Sequence, residues 1–182
     1  MRKKLISLMC IVVLLLGNVF PSQAAIADGL SWPSRSATYS YSTTGVSANF
    51  INGCKPAANS WTNSTIFTFV YSNNSDKISI DEQRVDGVNW AGLTATRKPA
   101  SFITSAFIMI NSRFTSSYSS TKVRAVICHE MGHAIGLADE SFSSTKRSIM
   151  LPSAEQVYDQ NGIYTPQQVD INDIYSIYED IQ

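Results

Sequence analysis

The run HEMGHAIGLADE at residues 129–140 demands a helix that stops abruptly, and that demand constrains the rest of the fold. On an α-helix, residues four apart lie on one face, so His129 and His133 can direct their imidazoles at a single metal ion. Glu130 sets a carboxylate on the same turn, where it can take a proton from a water held by that ion. Gly136 follows three residues after the second histidine. Lacking a Cβ, it can adopt a left-handed conformation, end the helix and return the chain toward the metal. The return brings Asp139 to the place of a third ligand. Glu140 is the competing carboxylate, and the chain spacing favours Asp139.

The donor set points to a particular chemistry. Two histidines and an aspartate leave the fourth position of a zinc ion open, as catalytic sites do, whereas structural zinc sites close all four. An ion held so lowers the pKa of its water and polarises a carbonyl, which suits hydrolysis of an amide with Glu130 as general base. The two histidines of the run are the only ones in the chain, so none is left to activate a serine or cysteine nucleophile. Calcium is compatible with the chain, but no residue pattern assigns it.

The chain is 182 residues long and 44% hydrophobic, which suits one domain with a substantial core. Its first residues belong elsewhere. Arg2, Lys3 and Lys4 precede an apolar run from Leu5 to Phe20 that ends in Pro21, Ser22, Gln23, Ala24 and Ala25, the pattern of a secretory signal peptide. Residues 1–24 are therefore expected to be a leader, with cleavage at Ala27 as the alternative, and residues 28–182 the functional domain. The apolar run is short for a bilayer span, so a secreted, extracellular protein with no membrane partner is expected. Removing the leader takes three of the 14 Lys and Arg residues and none of the 14 acids, which leaves a net charge of −3. No basic patch for nucleic acid remains. Cys54 and Cys128 are open to two readings, a disulfide that export permits or two buried thiols.

Periodicity places the other elements. Strands are expected at Ala37–Ser42, Ile66–Tyr71, Lys77–Ile80, Leu93–Thr96 and Ala106–Ile110, the last so continuously apolar that it should be covered on both faces. Val46, Phe50, Cys54, Ala58 and Trp61 recur at helical spacing, although Gly53 and Pro56 interrupt them. Residues 111–121 read as a polar loop, with a cap near Ser119 or Ser120 for the helix that carries the histidines on Val123, Val126 and Ile127. Thr165-Pro166-Gln167-Gln168 reads as a capping box opening a terminal helix with Val169, Ile174, Ile177, Tyr178 and Ile181 as its packing face.

At these residues the chain resembles the metzincin metallopeptidases, whose pattern is His-Glu-x-x-His-x-x-Gly-x-x-His or Asp followed by a methionine turn, here Ser148-Ile149-Met150. It looks most like a small matrixin-type peptidase, although Asp139 in place of a third histidine is the snapalysin-like variant. The resemblance implies an α+β, zincin-like fold: a twisted mixed β-sheet, an active-site helix and a small C-terminal subdomain with a closing helix. It implies a larger upper subdomain over about 31–136, a lower one over about 137–182, and a cleft between them for an extended peptide or protein substrate. Met150 would form a packed floor beneath the metal without ligating it. Leu93, Thr94 and Ala95 would be the edge strand that pairs with substrate, the ordinary alternative being an exposed edge. The implied function is a secreted, monomeric zinc endopeptidase. Two rivals are a secreted binding protein on a peptidase scaffold and a zinc amidase acting on small or cell-wall peptides, the latter separable only by the shape of a pocket formed by residues 151–164.

Overall fold

β-Branched and aromatic runs supply five strands: β1 Ser36–Tyr41, β2 Thr68–Tyr71, β3 Ile78–Gln83, β4 Gly92–Arg97 and β5 Ser105–Asn111. In the computed structural model, which describes residues 30–99 and 102–182, they form one mixed sheet in the order β2-β1-β3-β5-β4. Neighbours run parallel except β4, which lies antiparallel to β5 at the sheet edge with Thr94 opposite Ile108. The expected leader and both of its boundaries lie outside the described residues. Among the described residues, no helix is long and apolar enough to cross a membrane.

Two long helices, α1 (Ala48–Ser64) and α3 (Ser120–Ala134), join one face of this sheet in a single core. Strand alternation follows from that arrangement. Ala106, Ile108 and Ile110 are buried, but Phe107 is 38% exposed and Met109 only half-buried, so β5 is covered on one face and not on both. Apolar content alone could not separate the two cases, because the exposed positions are apolar as well.

α1 runs unbroken through Gly53 and Pro56 for 17 residues. The tertiary contact outweighs the local interruption: a Cβ on Gly53 would lie 2.9 Å from Ile127 Cδ1, so the glycine lets α1 approach α3 closely. Ser47 caps α1 by accepting from the Phe50 amide at 3.2 Å. The stretch expected to be a loop contains a short helix, α2 (Ser112–Thr115), because the Asn111 side chain accepts from the Arg113 amide at 3.1 Å and starts a turn. Ser119 rather than Ser120 caps α3, through the Lys122 amide at 3.2 Å.

The closing helix, α4 (Gln168–Tyr178), begins later than its sequence signature suggests. The box at Thr165–Gln168 does not form; instead Asp170 reaches back to the Gln167 amide at 2.7 Å, moving the cap two residues along. Ile174 and Tyr178 enter the core as expected. Cys54 and Cys128 are free, buried thiols, and burial pushes both well above the ordinary thiol range, so the disulfide reading gives way to the packing one.

Candidate metal centre

α3 holds its imidazoles still because the helix beneath them is locked. Val123, Ile127 and Met131 are fully buried, and Trp61 Nε1 donates to the Cys128 carbonyl at 2.9 Å. His129 and His133 are 7% and 1% exposed. His129 Nδ1 lies 2.8 Å from the Ile149 carbonyl and His133 Nδ1 lies 2.9 Å from the Leu137 carbonyl. A carbonyl can only accept, so each ring carries a proton on Nδ1 and turns Nε2 inward. The two Nε2 atoms meet at 3.0 Å.

Gly136 has φ of 104°, the left-handed turn its position calls for, and a Cβ there would collide with the Leu30 carbonyl. The returning chain brings Asp139 Oδ1 to 3.3 Å from His129 Nε2 and 3.4 Å from His133 Nε2. That oxygen is buried yet has no hydrogen-bond partner. Glu140 turns away, bonding Lys146 at 2.9 Å and Ser144 at 3.2 Å. His129, His133 and Asp139 form a group whose ligand atoms all lie within 4.8 Å of one another and could hold a metal ion.

Three lone pairs converging on one point repel unless a cation or a proton lies among them. Burial pushes the His129 ring down, but Asp139, the Glu130 charge and the Ile149 carbonyl outweigh it and raise its pKa to about 9. Burial pushes the Asp139 carboxyl up, while contact with the two imidazoles prevails and holds it well below the usual carboxylate range. The pocket therefore favours positive charge. A buried oxygen without a partner, beside two nitrogens whose tautomers are set by carbonyls, is a donor set that fits zinc.

Met150 is 2% exposed and packs so tightly against α3 that a Cβ on Gly132 would collide with its Sδ. Buried Asp170 of α4 holds this turn: it accepts from the Ser148 hydroxyl and from the Ile149 amide at 3.0 Å. Because the Ile149 carbonyl faces His129, the closing helix is linked to that imidazole through the backbone of a single residue.

Glu130 is 1% exposed and lines, with Gly92 and His129, a cleft of about 760 Å³ that includes space open to solvent. Trp90, Tyr118, Val126, Leu151 and Val157 contribute to its lining. Leu93 is half-buried and Ala95 exposed on β4, but the Thr94 side chain is buried and faces Glu130 instead of solvent. Sequence reasoning missed Gly92, Gly132, Trp90, Tyr118 and Asp170. Only Gly132 lay within the motif, and nothing in its spacing distinguished it from any other residue there.

The matrixin family model matches residues 31–179. The chain belongs to the matrixin family. This matrixin has the fold of myroilysin: one structure of that protein superposes with a TM-score of 0.60 at 16% identity over 90% of each chain. A second, a crystal structure, gives 0.57 at 17% identity over 81% of this chain and 85% of the other. No curated protein matches the matrixin by sequence. Family membership makes the protein a metallopeptidase, for which the family implies zinc.

Proposed function

We propose that the protein is a secreted zinc endopeptidase with His129, His133 and Asp139 as its metal ligands and Glu130 as its general base. The observation that carries this reading is the convergence of three ligand atoms within 4.8 Å around a buried, unpartnered carboxylate oxygen. Zinc held by His129, His133 and Asp139 would supply an acidified water and a polarising charge for the scissile carbonyl. Glu130 accepts the proton that the attacking water releases and returns it to the departing amine as the carbon–nitrogen bond breaks. Met150 supports the ligands from below without joining them.

An extended peptide or protein chain is the substrate, paired by its backbone to the free edge of β4 at Leu93–Ala95. The cleft suits that role: residues from both 31–136 and 137–182 line it, and its apolar lining favours a large apolar side chain next to the cut. We assign residues 1–24 to the export signal, with Ala27 as the alternative boundary, and expect the mature protein to act as an extracellular monomer. Glu130 stands beside an intact ligand set, which disfavours a mere binding protein on this scaffold.

Zinc content and casein hydrolysis, measured for wild type and Glu130→Ala with and without a chelator, test the reading. The variant is expected to keep its zinc and lose hydrolysis, and the chelator to stop the wild type. Equal hydrolysis by both proteins would refute it.

A further inference from the structure

We propose that Thr94 is a positioning residue that fixes the carboxylate of Glu130, an assignment that rests on the general-base reading above. Thr94 is 1% exposed, and its hydroxyl oxygen lies 2.7 Å from Glu130 Oε2 and 3.0 Å from the Glu130 carbonyl. One hydroxyl proton serves one acceptor at a time, and the nearer carboxylate oxygen is the stronger acceptor.

The other carboxylate oxygen is confined as well. A Cβ on Gly92 would collide with Glu130 Oε1 and Cγ, so the carboxylate occupies the space that any side chain at position 92 would need. Gly92 and Thr94 are alternate residues of β4 and therefore share a face of the sheet. The strand thus grips the base by a hydrogen bond at one residue and by contact at the other. A glutamate has three side-chain torsions to fix, and holding them before the reaction removes a reorganisation that would otherwise fall on the catalytic step. Because β4 is also the sheet edge, any movement of that edge is passed directly to the base.

A hydroxyl that only satisfied a buried carboxylate would affect stability and leave turnover untouched, so the two roles separate experimentally. Thr94→Val, Thr94→Ser, Gly92→Ala and Glu130→Ala are compared as zinc-loaded enzymes for kcat, KM, zinc content and melting temperature, and the Thr94→Val crystal structure is determined. Thr94→Val is expected to lose about tenfold to a hundredfold in kcat with KM and zinc content near wild type, and Thr94→Ser to recover most of the loss. Gly92→Ala is expected to lower kcat as well, by displacing the other carboxylate oxygen. In the Thr94→Val crystal the Glu130 carboxylate is expected to leave its place against Gly92. Wild-type kcat in Thr94→Val, or an unmoved carboxylate, overturns the assignment even if Glu130→Ala is inactive. Full activity in Glu130→Ala removes the general base itself, and the assignment with it. If Thr94→Val fails to fold, Gly92→Ala decides: wild-type kcat there overturns the proposal, and a lowered kcat with zinc retained supports it.

Discussion

The two histidines and the aspartate reach the same point by different means. His129 and His133 ride on a 15-residue helix whose inner face is buried core, and their spacing alone brings them together. Asp139 lies on the chain that returns from α3, its side chain 20% exposed, placed by Gly136 and by the turn at Ser148–Met150. That turn in turn depends on hydrogen bonds to α4. Packing fixes the first pair, and backbone hydrogen bonding fixes the third member. Loss of a helix-borne ligand should therefore damage the site more than exchange of the loop-borne one.

The largest effect is expected from His133→Ala, which removes a ligand the rigid helix cannot replace. Zinc affinity should fall by at least about a hundredfold and hydrolysis to background, while the metal-free protein loses only the stability of one buried hydrogen bond to the Leu137 carbonyl, about 1–3 kcal/mol. Equilibrium zinc titration and calorimetry measure both. Retained zinc would mean that the helix does not dominate the site.

Asp170→Ala tests the other side of the comparison. It leaves the Ser148 hydroxyl and the Ile149 and Gln167 amides without their buried acceptor, and should destabilise the fold by roughly 2–4 kcal/mol in chemical denaturation. Zinc affinity should fall with it, because the Ile149 carbonyl that orients His129 loses its anchor. A variant as stable as wild type would uncouple α4 from the centre.

Proton competition gives a third handle. In the metal-free protein the His129 ring is raised to about 9, so at neutral pH it holds a proton that the metal must displace. Releasing one proton makes the apparent zinc affinity rise about tenfold per pH unit from neutrality and level off above about pH 9. A pH-independent affinity in buffered titrations would argue that the ring is already neutral.

The smallest effect is expected from Asp139→His. A neutral ligand replaces a charged one at the same loop position, so zinc and measurable hydrolysis should persist, with affinity lowered by about tenfold or less. Total loss of metal would show that the loop is as unforgiving as the helix.

What could be read from the sequence follows the same division. The helix, its histidines, the glycine turn and Asp139 were all legible, because local spacing and backbone conformation determine them. The strands were legible in position, but not the one-sided burial of β5, since Phe107 and Met109 are as apolar as their buried neighbours. The grip of Gly92 and Thr94 on Glu130 was not legible, for it joins strand and helix residues 38 and 36 positions apart, a pairing no local pattern identifies. Nor was the cap of α4, where Asp170 serves the methionine turn and its own helix at once and so overrides the Thr-Pro-Gln-Gln signature.

X-ray absorption at the zinc edge of the purified protein tests the centre most directly. One zinc per chain, with nitrogen and oxygen neighbours at about 2.0–2.2 Å and two imidazole signatures, is the expected result. A sulfur neighbour near 2.3 Å, or a chain that binds no zinc while folded, would contradict a site made of His129, His133 and Asp139.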